Sequence, residues 1–189
     1  MRTFFALDLA SEDKLALEKW RSKNFPFFHR PVPMANFHIT LAFLGDTSAD
    51  KMEKLLSGAD AIEAAPVRFD ANQMGYWQRP GIVFLGDKQP DDALYALAQK
   101  CQALGARLRL NKEDKRYHPH VTLFRKVEQA PPVALTEPDF SLRFDHFSLM
   151  QSIPARDGVQ YRELERWPLR NTSESDMSIR EQLARGLLR

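Results

Sequence analysis

His38-Ile39-Thr40-Leu41 recurs as His120-Val121-Thr122-Leu123. In both copies an imidazole stands two positions before a hydroxyl, and apolar residues fill the alternate positions. This is the period-2 pattern of a half-buried strand, in which His and Thr project from one face while Ile39, Leu41, Val121 and Leu123 enter a core. Five His and six Thr in 189 residues would produce roughly 0.16 His-x-Thr tripeptides by chance. Two, each followed by Leu, point to a repeated chemical function.

Two imidazoles supply a base and an acid. Imidazole titrates closest to neutrality, so one neutral His can take a proton from an attacking oxygen while a protonated His supplies a leaving oxygen. Thr hydroxyls donate hydrogen bonds to anionic oxygens, which suits them to holding a phosphate between the two rings. The combination points to phosphoester cleavage. A zinc site built from His38, His118 and His120 is the competing chemistry, but a catalytic zinc takes three ordered ligands, and the sequence has no HExxH, no CxxC and one Cys. No metal and no cofactor is expected.

The elements around the motifs repeat as well. Thr3–Leu9 is an apolar run followed by Ser11-Glu12-Asp13 as a helix start and a helix through Leu15, Ala16 and Trp20. Ile82–Asp87 is a second buried strand. It is followed by Asp91 or Asp92 as a cap and by Leu94, Leu97, Ala98, Cys101 and Leu104 on one helix face. After each motif the pattern continues more loosely. Val67–Asp70 leads into Met74–Trp77, and Leu142–Asp145 leads into Phe147–Gln151, each read as a strand pair joined by a short turn. The expected fold is α+β: two pseudo-symmetric lobes of antiparallel sheet with flanking helices around a central cleft, each lobe offering one His-x-Thr strand at the pseudo-twofold axis.

These residues carry a resemblance. Phe4-Phe5-Ala6-Leu7-Asp8, His38-Ile39-Thr40-Leu41-Ala42-Phe43-Leu44-Gly45 and His118-Pro119-His120-Val121-Thr122-Leu123 resemble the bacterial RNA 2′,3′-cyclic phosphodiesterases, historically called 2′-5′ RNA ligases, of the two-histidine phosphoesterase superfamily. The similarity runs from about Phe4 to Leu169. It implies a two-lobed α+β fold, no required metal, and hydrolysis of a terminal 2′,3′-cyclic phosphate to a 2′-phosphate. It further implies His120 as proton acceptor for water, His38 as proton donor to the departing 3′ oxygen, and Thr40 and Thr122 as phosphate ligands. A reversible 2′-5′ joining of RNA ends would use the same groups. The implied partners are RNA ends or nucleotides bearing the cyclic phosphate, tRNA fragments among them, with no obligate protein partner evident.

Arg125 joins the phosphate-binding set by the same resemblance, since a guanidinium fork matches phosphate oxygens. Strict alternation would turn Arg125 away from His120 and Thr122, so only a strand end or a bulge could bring it into the cleft. Its counterpart after the first motif is Phe43. His118 is assigned an outer place, with Pro119 marking a strand start, and Cys101 a buried filler role. Phe5, Phe37, Phe43, Phe124 and Tyr161 are candidates for a base-stacking surface, and the sequence does not choose among them.

A net charge of +2 is too small for coating long nucleic acid and fits recognition of an end. Arg107, Arg109, Lys112, Lys115 and Arg116 form a local basic cluster that could guide an RNA terminus, although Glu113 and Asp114 interrupt it and a solvated loop is the equal alternative. No apolar run approaches a membrane span, no signal-peptide pattern opens the chain, and one Cys fits a reducing compartment. The expected location is cytoplasmic. Residues 1–170 form the expected bilobal domain. Residues 171–189 form a linker and possible helix through Ile179, Leu183 and Leu187.

Overall fold

The computed structural model describes residues 1–110, 116–156 and 158–170. The strands are β1 (Arg2–Asp8), β2 (His38–Asp46), β3 (Val67–Ala71), β4 (Gln73–Trp77), β5 (Ile82–Gly86), β6 (Val121–Arg125), β7 (Phe140–Phe144), β8 (His146–Ala155) and β9 (Gly158–Pro168). The helices are α1 (Ser11–Asn24), α2 (Ala49–Asp60) and α3 (Asp92–Arg107). The architecture is α+β, with antiparallel pairing throughout these strands.

The large sheet runs β4-β5-β6-β2-β1-β8-β9, and β3 and β7 form a separate pair. The β4-β5-β6 portion and the β2-β1-β8-β9 portion meet at one register pair, Ile39 with Val121. Two lobes of sheet are therefore hinged along the motif strands. Ile39 and Val121 occupy corresponding places in the two repeats, as do Arg68 and Arg143, which face each other across β3 and β7. A twofold axis relating the repeats must pass through both pairs. The sheet order reads the same from either side of that axis until β9 is added.

The repeats exchange strands. β4 follows the first motif in sequence but pairs with β5, and β8 follows the second motif but pairs with β1. The segments Val67–Asp70 with Met74–Trp77, and Leu142–Asp145 with Phe147–Gln151, are strands as expected but not hairpins. In each case the first strand joins the β3–β7 pair and the second crosses to the other lobe. A short connection between strands says only that a turn exists, not that the strands pair.

The helices follow ordinary rules. In α1, Glu12 and Asp13 lie in the first turn and Arg21 and Lys23 in the last, complementing the helix dipole. Asp91 caps α3, its side chain accepting from the Ala93 N–H at 2.9 Å. The apolar stripe Leu94, Leu97, Ala98, Cys101 and Leu104 is buried. Two elements carried too little sequence signal to be expected. α2 buries only Leu55 and Ala59, and β9 is exposed along most of its length, with Trp167 buried near its end.

The main core lies between the helices and the inner sheet face, where Phe5, Leu7, Leu17, Ile39, Leu41, Leu97, Val121 and Leu123 are fully or nearly fully buried. A smaller cluster of Phe4, Ala6 and Met150, with Tyr161 packed against it, covers the opposite face beside the first motif.

Candidate active site

The pairing of Ile39 with Val121 sets the geometry of the motifs. Both residues point into the core at 0% exposure, so His38, Thr40, His120 and Thr122 point to the opposite face. Antiparallel register places each histidine across from the other motif's threonine, and the two histidines lie on a diagonal. Diagonal neighbours on adjacent strands stand roughly 7–8 Å apart, a separation that lets two rings flank one phosphate.

Both rings are held in the same way. His38 Nδ1 lies 2.7 Å from the Asn36 carbonyl oxygen, and His120 Nδ1 lies 2.8 Å from that of His118. A carbonyl only accepts, so Nδ1 carries the proton and Nε2 keeps the lone pair. His38 Nε2 is 2.9 Å from Thr40 Oγ1, whose hydroxyl donates to it while the ring is neutral. The Tyr117 hydroxyl donates to the Thr40 carbonyl at 2.9 Å and fixes that strand from the other lobe.

Aromatic rings enclose each imidazole. Phe4 and Tyr161 stand 5.1 and 5.0 Å from the His38 ring. Trp77 and Phe84 stand 4.7 and 5.4 Å from that of His120. Phe84 crosses the face of Gly75, where an added Cβ would fall 2.2 Å from the ring, so a glycine is required there. Burial in these settings pushes both imidazoles down to a pKa of about 4, the carbonyl hydrogen bonds opposing the shift and the Arg125 charge adding to it. His120 also lowers His38, as closely placed like charges must.

Arg125 reaches the cleft because β6 is bulged. Phe84 pairs with Thr122 and Val83 with Phe124, leaving Leu123 as an extra residue. The parity therefore inverts after Leu123: Phe124 turns into the core at 2% exposure, and Arg125 lines the cleft. Its buried Nε has no hydrogen-bond partner among the described residues. β2 carries the same irregularity. Ala6 pairs with Thr40 and Phe5 with Ala42, so Leu41 is the extra residue, and Phe43 turns outward at 62% exposure. Arg125 and Phe43 are thus equivalent positions projecting into one cleft.

Phe43 divides that cleft. On one side a chamber of about 300 Å³ is walled by Thr40, Phe43, Trp77, Tyr117, His118 and His120. On the other, a chamber of about 210 Å³ includes Arg2, Phe43, Arg125, Ser152 and Tyr161. Of the aromatic candidates, Phe5, Phe37 and Phe124 are core residues at 0 to 2% exposure, leaving Phe43 and Tyr161 at the cleft. Trp77 was not singled out by sequence, because its position after a loosely repeated strand says nothing about which lobe it joins. His118 contributes its carbonyl to His120 and also its ring to the chamber wall.

The remaining candidates stand apart. Cys101 is buried and its thiol pKa is raised by burial. His29 is exposed, and His146 pairs with Asp145. In the basic cluster, Arg107 and Arg109 are exposed and Arg116 lines the first chamber, while Lys112 and Lys115 lie outside the described residues. The expected linker and helix at 171–189 also lie outside them. Among the described residues no group of three or more His, Cys, Asp or Glu is arranged to hold a metal ion, and no helix is long and apolar enough to cross a membrane.

The chain is similar to known proteins over most of its length. The family model of the 2′-5′ RNA ligase superfamily matches residues 9–157. The chain is 35% identical over 169 residues to an Escherichia coli (strain K12) RNA 2′,3′-cyclic phosphodiesterase, covering 89% of this chain and 96% of that protein. It is 30% identical over 181 residues to a Thermus thermophilus protein of the same name, covering 90% and 91%. Its fold is similar to that of E. coli LigT crystallised with 3′-AMP, with a TM-score of 0.82 and 36% identity over 89% of this chain and 97% of that one.

Proposed function

This chain belongs to the 2′-5′ RNA ligase superfamily, and from that premise we propose that it opens RNA-terminal 2′,3′-cyclic phosphates, leaving a 2′-phosphate, by acid–base catalysis between His38 and His120. The observation that carries this reading is the pair of imidazoles, each tethered through Nδ1 and set diagonally about the twofold axis.

His120 Nε2 takes a proton from water as the water oxygen attacks phosphorus. The bond from phosphorus to the 3′ oxygen breaks, and His38 Nε2–H gives its proton to that oxygen. In-line displacement requires the two groups on opposite sides of the phosphate, which the diagonal supplies. Thr40, Thr122 and Arg125 hold the non-bridging oxygens, and the unpartnered Nε of Arg125 supports its assignment to an anion. Phe43 and Trp77 wall the chamber that takes the terminal base, by stacking.

The same machinery joins ends when a 5′-hydroxyl replaces water, forming a 2′-5′ linkage as the 3′ oxygen leaves. The substrates we assign are RNA ends, tRNA fragments included, processed in the cytoplasm by the unit spanning residues 1–170.

Phosphorus NMR of products from cyclic-phosphate oligonucleotides, run in excess EDTA, tests this reading. The expected product is a 2′-phosphate, with His38→Ala and His120→Ala each slowing turnover by about 10²–10⁴-fold. A 3′-phosphate product, or loss of activity to EDTA, overturns it.

A further inference from the structure

The phosphate site opens on two chambers, and a cyclic mononucleotide has material for only one of them. In a nucleotide whose 2′ and 3′ oxygens meet at the scissile phosphorus, the base and the 5′-phosphate leave the ribose in different directions. Two arms diverging on either side of Phe43 match those directions. The arm containing Trp77, Tyr117 and His118 is walled by flat rings and suits a base. The other arm meets the phosphate site at Arg125, and its walls carry donors: the guanidinium of Arg2 and the hydroxyls of Ser152 and Tyr161. Among the described residues no carboxylate lines it. Arg2 is exposed and has no ion pair with any described residue.

Resting on the phosphodiesterase reading, we infer that this second chamber is a subsite for the sugar-phosphate backbone of the nucleotide preceding the cyclic end, with Arg2 engaging the phosphodiester that joins the last two nucleotides. Guanidinium and hydroxyl donors select phosphate and ribose oxygens over a base edge. Their place beside Arg125 puts the subsite one step from the reacting phosphate. The enzyme would thereby distinguish an RNA end from a free cyclic nucleotide without reading sequence.

The test compares a 2′,3′-cyclic mononucleotide with a dinucleotide carrying the same cyclic end, using wild type, Arg2→Ala and Arg2→Lys. Calorimetric binding of the two corresponding 2′-phosphate products runs alongside. Wild type is expected to favour the dinucleotide in kcat/KM and in affinity. Arg2→Ala should cut both dinucleotide values about tenfold, the loss of one charge-assisted hydrogen bond, and leave the mononucleotide within about twofold, with Arg2→Lys recovering most of the loss. Equal losses on both substrates, or no dinucleotide advantage in wild type, would overturn the subsite. If neither cyclic substrate turns over but dinucleotide product binding still depends on Arg2, the subsite stands and the catalytic reading falls.

Discussion

At the residue scale the decisive property is the low basicity of both histidines. In the free protein at neutral pH both rings are neutral, since burial holds each pKa at about 4. Under the proposed assignment the base is ready and the acid is scarce. The parameter kcat/KM reports the free enzyme, so it should decline as pH rises from about 5 through neutrality, by about tenfold per unit at the steepest. A bound phosphate anion favours the imidazolium and opposes the burial effect, so the alkaline limb of kcat should lie at higher pH than that of kcat/KM. Arg125 lowers both histidines. Arg125→Met removes that charge, and the alkaline limb should move to higher pH even as the optimum rate falls by about 10²-fold through loss of a phosphate donor. Paired pH profiles of wild type and variant check this, and an unmoved limb would place the guanidinium away from the rings.

At the element scale the two bulges decide which residues reach the cleft, and helices from the opposite repeat hold them. Arg21 of α1 donates to the Leu123 carbonyl at 2.8 Å and to that of Val32 at 2.6 Å, and it pairs with Glu18. Gln102 of α3 donates to the Leu41 carbonyl at 3.2 Å. Leu123 and Leu41 are the extra residues of the two motif strands, so each repeat's helix secures the other repeat's bulge. Arg21 also lies against the rings of Phe37 and Phe124, at 4.9 and 5.4 Å. Arg21→Met leaves two buried carbonyls without that donor and should cost roughly 2–3 kcal/mol, measured by urea denaturation, with kcat falling as Arg125 loses its support. Gln102→Leu should cost only about 1 kcal/mol and raise KM through Phe43. These contacts also explain what the sequence could and could not reveal. The strand character of both motifs was legible from the alternation of Ile39, Leu41, Val121 and Leu123, and the α3 stripe from its spacing. The turn of Arg125 and Phe43 toward the cleft was not legible from that alternation, because it depends on donors 102 and 61 residues distant. Nor were α2 and β9, whose buried faces are too thin to leave a period.

At the scale of the whole molecule, the strand exchange ties the lobes into one cooperative unit. The duplicated motifs alone suggest two halves that could fold separately. The pairing contradicts that: β4 of the first repeat completes the sheet of β5, β8 of the second completes that of β1, and β3 with β7 draws one strand from each. A chain cut between the repeats would leave each half with unpaired sheet edges and exposed apolar faces, so neither half should be stable alone. The intact protein should therefore unfold in one transition. Trp77 lies in β4 beside His120, and Trp167 lies in β9, stacked on Phe147 at 5.2 Å, so the two indoles report on different lobes. Variants retaining only Trp77 or only Trp167 should give fluorescence midpoints in urea that coincide with each other and with circular dichroism. Two separated midpoints would mean that the lobes melt independently. The proposed pair, with one ring on each lobe, would then sit across a boundary able to open, rather than inside a single rigid sheet.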